Sequence, residues 1–229
     1  MDVIALKIPL YIDYNLKNYL ISKLPDEEKK QVKAFVKEED SLRKLFSRLF
    51  LRQYLSTLLN ENNLIFLKND YGKLFVKGHS ISFNLTHSGE WLGFAFDELP
   101  IGIDIEKIKC IDDRIINVVF TSEEVEVFQS LSTKDKQEYF FSIWTLKESF
   151  IKAKGMGLYL DFKKFSLIID QQITIKTYFQ DNNNWFFKQY DIDPNYKFSV
   201  CSLNKNTPQK CKIYGINDLL KTYSLEKSF

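Results

Sequence analysis

Ile101-Gly102-Ile103-Asp104-Ile105-Glu106 alternates without a break. Side chains on a strand point to opposite faces in turn, so one face of this segment carries three isoleucines. The other carries Gly102, Asp104 and Glu106. Residues two apart on a strand stand roughly 6.5–7 Å from each other. Two carboxylates that close repel unless a positive charge lies between them or water covers both. Two interpretations are open at this point. The segment is either a one-sided strand with a solvated acidic face, or a site for a hard cation such as Mg2+, which takes carboxylate oxygens and keeps waters and substrate phosphates.

Working outward, Asp97-Glu98-Leu99-Pro100 has the composition of a turn, and Trp91–Phe96 before it reads as another strand. Shorter strand-like runs precede these at Leu64–Lys68, Leu74–Val76 and Ile81–Leu85, with Val3–Ile8 as the first strand. Pro25 opens a charged helix reaching about Val36. Asp40 is an expected N-cap for a long helix to Leu59, with Leu42, Leu45, Phe46, Leu49, Phe50 and Leu58 at helical spacing. Beyond the acidic strand, helical patterns cover Asp113–Phe120, Glu123–Leu131 and Lys134–Lys154, the last closed by Gly155 as a C-terminal cap. Strand-like runs follow at Phe165–Ile169, Ile173–Tyr178, Trp185–Tyr190 and Lys197–Ser202, then a helix near Ile216–Thr222. Helices and strands mix without a β-α-β rhythm, so the expected fold class is α+β. The turn at Asp97–Pro100 is the natural hinge if the chain has two halves.

Composition narrows the function. The chain has 229 residues and is 45% hydrophobic, enough for one large or two small folded units. Its 32 Lys+Arg nearly cancel 30 Asp+Glu, which argues against a nucleic-acid sleeve. Three cysteines (Cys110, Cys201, Cys211) without C-x-x-C spacing are expected to be reduced in a cytosol. The N-terminal MDVIALKIPLY does not read as a signal peptide, and no run approaches the ~18 apolar residues of a membrane span. The common glycine-rich phosphate loops and H-E-x-x-H are absent. Glycine is scarce, 8 in all, and seven of the eight lie between Gly72 and Gly157. Special backbone geometry therefore belongs to the middle of the chain.

Two further blocks stand in that interval. In Trp144-Thr145-Leu146-Lys147-Glu148-Ser149-Phe150-Ile151-Lys152-Ala153-Lys154-Gly155-Met156-Gly157-Leu158, Trp144, Glu148 and Lys152 share one helical stripe. An i,i+4 ion pair would explain Glu148 and Lys152 and core packing would explain Trp144. Neither explains the two glycines that follow at once, which suggest a constrained turn or backbone held close to a ligand. In Phe83-Asn84-Leu85-Thr86-His87-Ser88-Gly89-Glu90-Trp91, His87 stands between two hydroxyl residues at a strand end. A lone histidine is more often a surface or satisfied core residue. Here imidazole, hydroxyls and backbone N–H groups come together, which suits an anionic oxygen.

Together, Phe83-Asn84-Leu85-Thr86-His87-Ser88, Gly102-Ile103-Asp104-Ile105-Glu106 and Trp144-x-x-Lys147-Glu148-x-x-x-Lys152-x-x-Gly155-x-Gly157-Leu158 resemble, in order and separation, the Sfp-type 4'-phosphopantetheinyl transferases. Tyr71-Gly72-Lys73 and the basic run around Arg43 are weaker matches. The resemblance implies an enzyme that moves the phosphopantetheine arm of coenzyme A to a serine of an apo acyl or peptidyl carrier protein, releasing adenosine 3',5'-bisphosphate. It implies two similar α+β halves, expected here as residues 1–99 and 100–229, with coenzyme A in the cleft between them. A non-catalytic coenzyme A or carrier-binding module on the same fold is the alternative.

By the same resemblance, Asp104, Glu106 and Glu148 would hold Mg2+. Glu148 and Lys152 would be catalytic, one taking the serine proton and the other touching the pyrophosphate. Arg43, Gly72, Lys73, Thr86, His87, Asp104 and Lys152 would contact coenzyme A, with Arg43 on the 3'-phosphate. Lys147 reads equally as a phosphate contact or a surface residue, and Glu124 as a family glutamate or as part of a capping box from Thr121. Carrier docking is expected over Ile111–Gln129 through Val118, Val119 and Phe120. A cytoplasmic monomer binding neither nucleic acid nor membrane is expected. Three features depart from the family pattern. Thr86 stands where serine is common, no proline follows Lys73, and Glu28 and Gln31 occupy places where lysines are usual.

Overall fold

The structure, a computed structural model, describes residues 1–157 and 160–223. Leu158, which ends the third motif, lies outside the described residues. Strand β1 (Asp2–Lys7) leads into three helices, α1 (Tyr14–Ser22), α2 (Asp26–Lys33) and α3 (Glu38–Leu59). A hairpin of β2 (Phe66–Lys68) and β3 (Leu74–Val76) follows, then β4 (Ser82–Ser88) and β5 (Trp91–Asp97). The same succession begins again with β6 (Ile101–Lys107). Helices α4 (Asp113–Val119), α5 (Ser122–Ser130) and α6 (Thr133–Lys154) come next, then a hairpin of β7 (Phe165–Ile169) and β8 (Ile173–Thr177), and finally β9 (Phe186–Gln189) and β10 (Tyr196–Ser202).

The pairing repeats as well. Strand order is β1-β5-β4 in one sheet and β6-β10-β9 in the other, antiparallel in both. The two long helices, α3 and α6, are 22 residues each. The fold is α+β with an internal duplication of plan. Among the described residues, β11 (Lys212–Gly215), α7 (Ile216–Lys221) and a short 3-10 turn at Phe162–Lys164 stand outside it. β11 pairs in parallel with β1, so the second half returns its last strand to the first sheet.

Alternation along the strands builds the layers. In β1, Ile4 and Leu6 join the core under α3, while Val3 and Ala5 join a second core with Ile101, Ile103, Ile105, Phe198 and Val200. The two sheets therefore face each other across a shared apolar layer, and α3 and α6 cover their outer faces. At about 25 cal/mol per Å² of apolar area removed from water, that shared layer binds the halves tightly. The turn between them is pinned too. Asp97 Oδ1 accepts from the Glu98 and Leu99 amides and from Asn204 Nδ2, and the Ser202 hydroxyl donates to Pro100 O at 3.2 Å.

Gly102 sets how closely α6 lies on β6. A β-carbon there would stand 2.0 Å from Ser149 O and 2.3 Å from Ala153 N. Backbone cannot yield to such an overlap, so only glycine lets the helix settle on the strand. Gly155 ends α6 with φ 68°, the left-handed cap expected of it.

Some boundaries differ from expectation. α3 starts at Glu38, so Asp40 lies in the first turn, where Glu38, Glu39 and Asp40 oppose the helix dipole. α2 ends at Lys33. α1 has no counterpart in the sequence reading, although Asp13 caps it by accepting from the Asn15 and Leu16 amides. β11 is likewise unforeseen, because its partner is at the far end of the chain.

Candidate active site

β4 and β6 lie side by side without a backbone ladder. The N–H groups of alternate residues on a strand point to opposite edges, and those on the exposed edge need partners. Side chains of β4 supply them. Asn84 Oδ1 accepts from the Ile103 amide at 3.0 Å, Thr86 Oγ1 from Ile105 at 3.3 Å, and Ser88 Oγ from Lys107 at 3.0 Å. The same hydroxyls donate onward to carboxylates, Thr86 to Asp104 Oδ1 at 2.9 Å and Ser88 to Glu106 Oε2 at 2.9 Å. Phe83 and Leu85, on the opposite face of β4, pack toward α3.

The acidic face of β6 is not solvated. Asp104 is 3% exposed, so the solvated-strand interpretation fails. α6 crosses above and brings Lys152 to Asp104, with Nζ 2.5 Å from Oδ1 and 3.4 Å from Thr86 Oγ1. Burial works against the Lys152 charge, but Asp104, Glu148 and Glu106 together outweigh it and hold the ammonium above the ordinary lysine range. Burial, and then the charge of Asp104, raises the Glu106 carboxyl. Burial also raises Glu148; Lys152 pulls it back and Asp104 pushes it further. The helix pair Glu148–Lys152 is therefore one part of a cluster of three acids and one base.

That cluster lacks positive charge. Among the described residues no three or more His, Cys, Asp or Glu side chains are gathered so that they could hold a metal ion as they stand. Yet Asp104 Oδ2 is buried with no hydrogen-bond partner, a state that costs about 1–3 kcal/mol unless something occupies the position beyond it. An oxygen-only donor set with one orphaned carboxylate oxygen fits a hard cation that completes its shell with water and phosphate.

The remaining expected residues divide. The His87 ring reaches solvent, but the packing around it, and then the charges of Arg43 and Lys152, push it below the ordinary imidazole range. Arg43 stands nearby with much of its fork engaged. Its Nε donates to Gly89 O at 2.8 Å, Nη1 to Asp40 at 2.7 Å and Nη2 to Glu39 at 3.0 Å. Lys73 does not extend into open solvent. Its ammonium donates to Ile101 O and Lys152 O, both at 2.9 Å, tying the β2–β3 loop to β6 and the end of α6. Asn69 Nδ2 reaches Gly155 O at 3.3 Å in the same contact. The Tyr71-Gly72-Lys73 and Gly155-x-Gly157 stretches thus meet each other across the two halves.

Lys147 is neither a phosphate contact nor a surface residue. It is fully buried, and its three N–H bonds go to Glu124 at 2.6 Å, Val119 O at 2.8 Å and Phe162 O at 2.9 Å. Glu124, 2% exposed, completes the capping box to Thr121 and also accepts from the Leu167 amide at 2.9 Å. Val119 and Phe120 belong to the same core and cannot dock a partner; Val118, at 61%, and Ile115 are exposed. A cavity of about 100 Å³ opens beside Glu106, lined by Ile111, Ile115, Phe140, Phe141 and Trp144. The structure also brings in Ser88 and Asn84, to which the sequence reading gave no separate role. Their signal was the matching alternation at 84, 86, 88 and 102, 104, 106.

Comparison with known proteins identifies the family. A family model described as "4'-phosphopantetheinyl transferase, N-terminal" matches residues 15–98, and one described as "4'-phosphopantetheinyl transferase superfamily" matches residues 100–201. The 4'-phosphopantetheinyl transferase gsp of Aneurinibacillus migulanus is 36% identical over 207 residues, covering 89% of this chain and 86% of the relative. The 4'-phosphopantetheinyl transferase Sfp of Bacillus subtilis (strain 168) is 33% identical over 207 residues, covering 87% and 91%. A crystal structure of a holo-(acyl-carrier-protein) synthase from Bacillus anthracis aligns over 45% of this chain and 94% of its own, at 19% identity and a TM-score of 0.41. Both halves matched in order, and close relatives aligned along nearly their whole length, show that the chain belongs to the Sfp-type 4'-phosphopantetheinyl transferases.

Proposed function

We propose that the cleft over β6 transfers the 4'-phosphopantetheine arm of coenzyme A to a serine hydroxyl of an apo acyl or peptidyl carrier protein, with Mg2+ and with release of adenosine 3',5'-bisphosphate. Family membership supports the transfer itself. The observation that supports the metal is the orphaned, buried Oδ2 of Asp104, which shares a cluster with two other acids and one lysine. Asp104, Glu106 and Glu148 are the residues that would hold Mg2+, which when bound supplies charge neutralisation at the pyrophosphate and the departing phosphate.

The chain's own residues do the rest. Glu148, its proton affinity raised by burial, suits the removal of a proton from the attacking serine, directly or through water. Lys152 keeps its charge, and with one donor on Asp104 and a longer one toward Thr86 Oγ1 it has a third to meet a pyrophosphate oxygen. His87, neutral at neutral pH, can give one N–H to phosphate. Arg43 can pair with the 3'-phosphate by turning an Nη from Glu39, whose side chain is half exposed. Thr86 has committed its proton to Asp104 and serves the cofactor through that carboxylate. Gly72 and Lys73 form the wall at the adenine end.

The lobes 1–99 and 100–229 would frame the cleft, and the cavity beside Glu106 would receive the carrier serine with apolar help from Ile115 and Val118. A cytoplasmic monomer is the inferred setting. The three free cysteines fit it, and among the described residues no helix is long and apolar enough to cross a membrane. Calorimetry of coenzyme A binding tests the metal assignment. Affinity is expected to rise about tenfold with Mg2+, within the usual range for two coupled ligands, and Asp104→Asn is expected to remove that gain. Binding indifferent to both Mg2+ and the substitution would overturn it.

A further inference from the structure

Strands β4 and β6 are related by a constant offset. Asn84 lies across from Gly102 and Ile103, Thr86 from Asp104 and Ile105, and Ser88 from Glu106 and Lys107. At the two positions where β6 carries a carboxylate, β4 carries a hydroxyl; where β6 carries glycine, β4 carries an amide. A hydroxyl has one proton and two lone pairs. Ser88 Oγ accepts the Lys107 N–H at 3.0 Å and gives its proton to Glu106 Oε2 at 2.9 Å. With the backbone bond fixing the hydroxyl, that proton has one direction, and it leaves the other oxygen of Glu106 unclaimed. Thr86 gives its proton to Asp104 in the same way, while also accepting from Lys152 Nζ at 3.4 Å, and there the unclaimed oxygen is the orphaned, buried Oδ2.

From this register we infer that Ser88 is a positioning residue for the metal carboxylates. It acts through Glu106, presenting one carboxylate oxygen to the cation while holding the other, and it does not itself touch cation, coenzyme A or serine. The inference rests on the Mg2+ assignment above. Partners that orient a metal ligand typically change metal affinity by 10–100-fold when removed. A serine that merely filled space between two strands would change stability alone.

The test compares Ser88→Ala and Ser88→Thr with the unaltered chain. Mn2+ binding in the presence of coenzyme A is followed by the paramagnetic resonance signal of free Mn2+, alongside the Mg2+ dependence of transfer. Ser88→Ala is expected to weaken Mn2+ binding and raise half-saturating Mg2+ about 10-fold, with turnover at saturating Mg2+ changed far less. Ser88→Thr, which keeps the hydroxyl, is expected to restore both. In a Glu106→Gln background, Ser88→Ala should add almost nothing, since the two would act as one unit. Undiminished Mn2+ affinity in folded Ser88→Ala, or full additivity with Glu106→Gln, would overturn the positioning role and leave the metal assignment standing. Absence of any Mn2+ or Mg2+ dependence in the unaltered chain would overturn both.

Discussion

Glu148→Gln is expected to lower the rate of arm transfer by about a thousandfold, the middle of the range for a lost general base, while coenzyme A still binds. The sign of its effect on stability separates this from a folding defect. Burial, and then the charge of Asp104, makes the ionised Glu148 costly in the folded chain, which is why its carboxyl lies above the ordinary range. An acid whose folded pKa is raised contributes stability below its unfolded pKa and loses it as pH rises through the folded value. At neutral pH its charge therefore opposes folding. Glutamine removes the charge and keeps the shape, so in metal-free buffer the melting temperature should hold or rise. Single-turnover transfer and a thermal melt check both halves. Retained turnover, or an inactive variant that melts early, would contradict the role.

Lys147→Met is expected to act in the opposite sense, costing stability in a position that touches no substrate. Lys147 and Glu124 are both buried, 2.6 Å apart, and every donor of the lysine is used. Removing one member leaves a carboxylate buried without its counter-charge, which typically costs about 3–5 kcal/mol. In a chain of this size each kcal/mol moves the melting temperature by about 2–4 °C, so a drop on the order of 10 °C is expected. Because Glu124 also holds the Thr121 and Leu167 amides, the loss should loosen the start of α5 and strand β7. Adding Glu124→Gln should recover part of it, since an amide needs no counter-charge. Thermal melts of the single and double variants check this. A shift within a degree or two for Lys147→Met would show that the pair contributes little.

Lys147 also shows where sequence reading stops. Periodicity placed α6, its glycine cap and the stripe carrying Glu148 and Lys152, because each is a local pattern. It could not show that the neighbour of Glu148 points into the core, since a lysine reads as polar until its partner is known. The partner, Glu124, lies on another helix. Gly102 was legible as one term in an alternation, but its need to be glycine depends on α6 arriving from above. The duplicated plan was invisible for a related reason: it resides in the order and pairing of elements, and the residues filling equivalent places differ. Strand β11 escaped because a short exposed strand is defined by its partner, β1. Asp104, Glu106, Glu148, His87 and Lys152 stood out because three spaced motifs carry them. Asn84 and Ser88 were in those motifs too, and only the side-by-side run of β4 and β6 shows what they hold.

The most direct measurement is mass spectrometry of apo carrier proteins, acyl and peptidyl, incubated with this chain and coenzyme A, with Mg2+ or with a chelator. One phosphopantetheine arm should appear on a single carrier serine when Mg2+ is present, accompanied by adenosine 3',5'-bisphosphate, and should fail to appear when the metal is withheld. A panel of carriers that stays unmodified with Mg2+ would contradict the transferase reading of the cleft, and modification that proceeds equally in chelator would contradict the metal role of Asp104, Glu106 and Glu148.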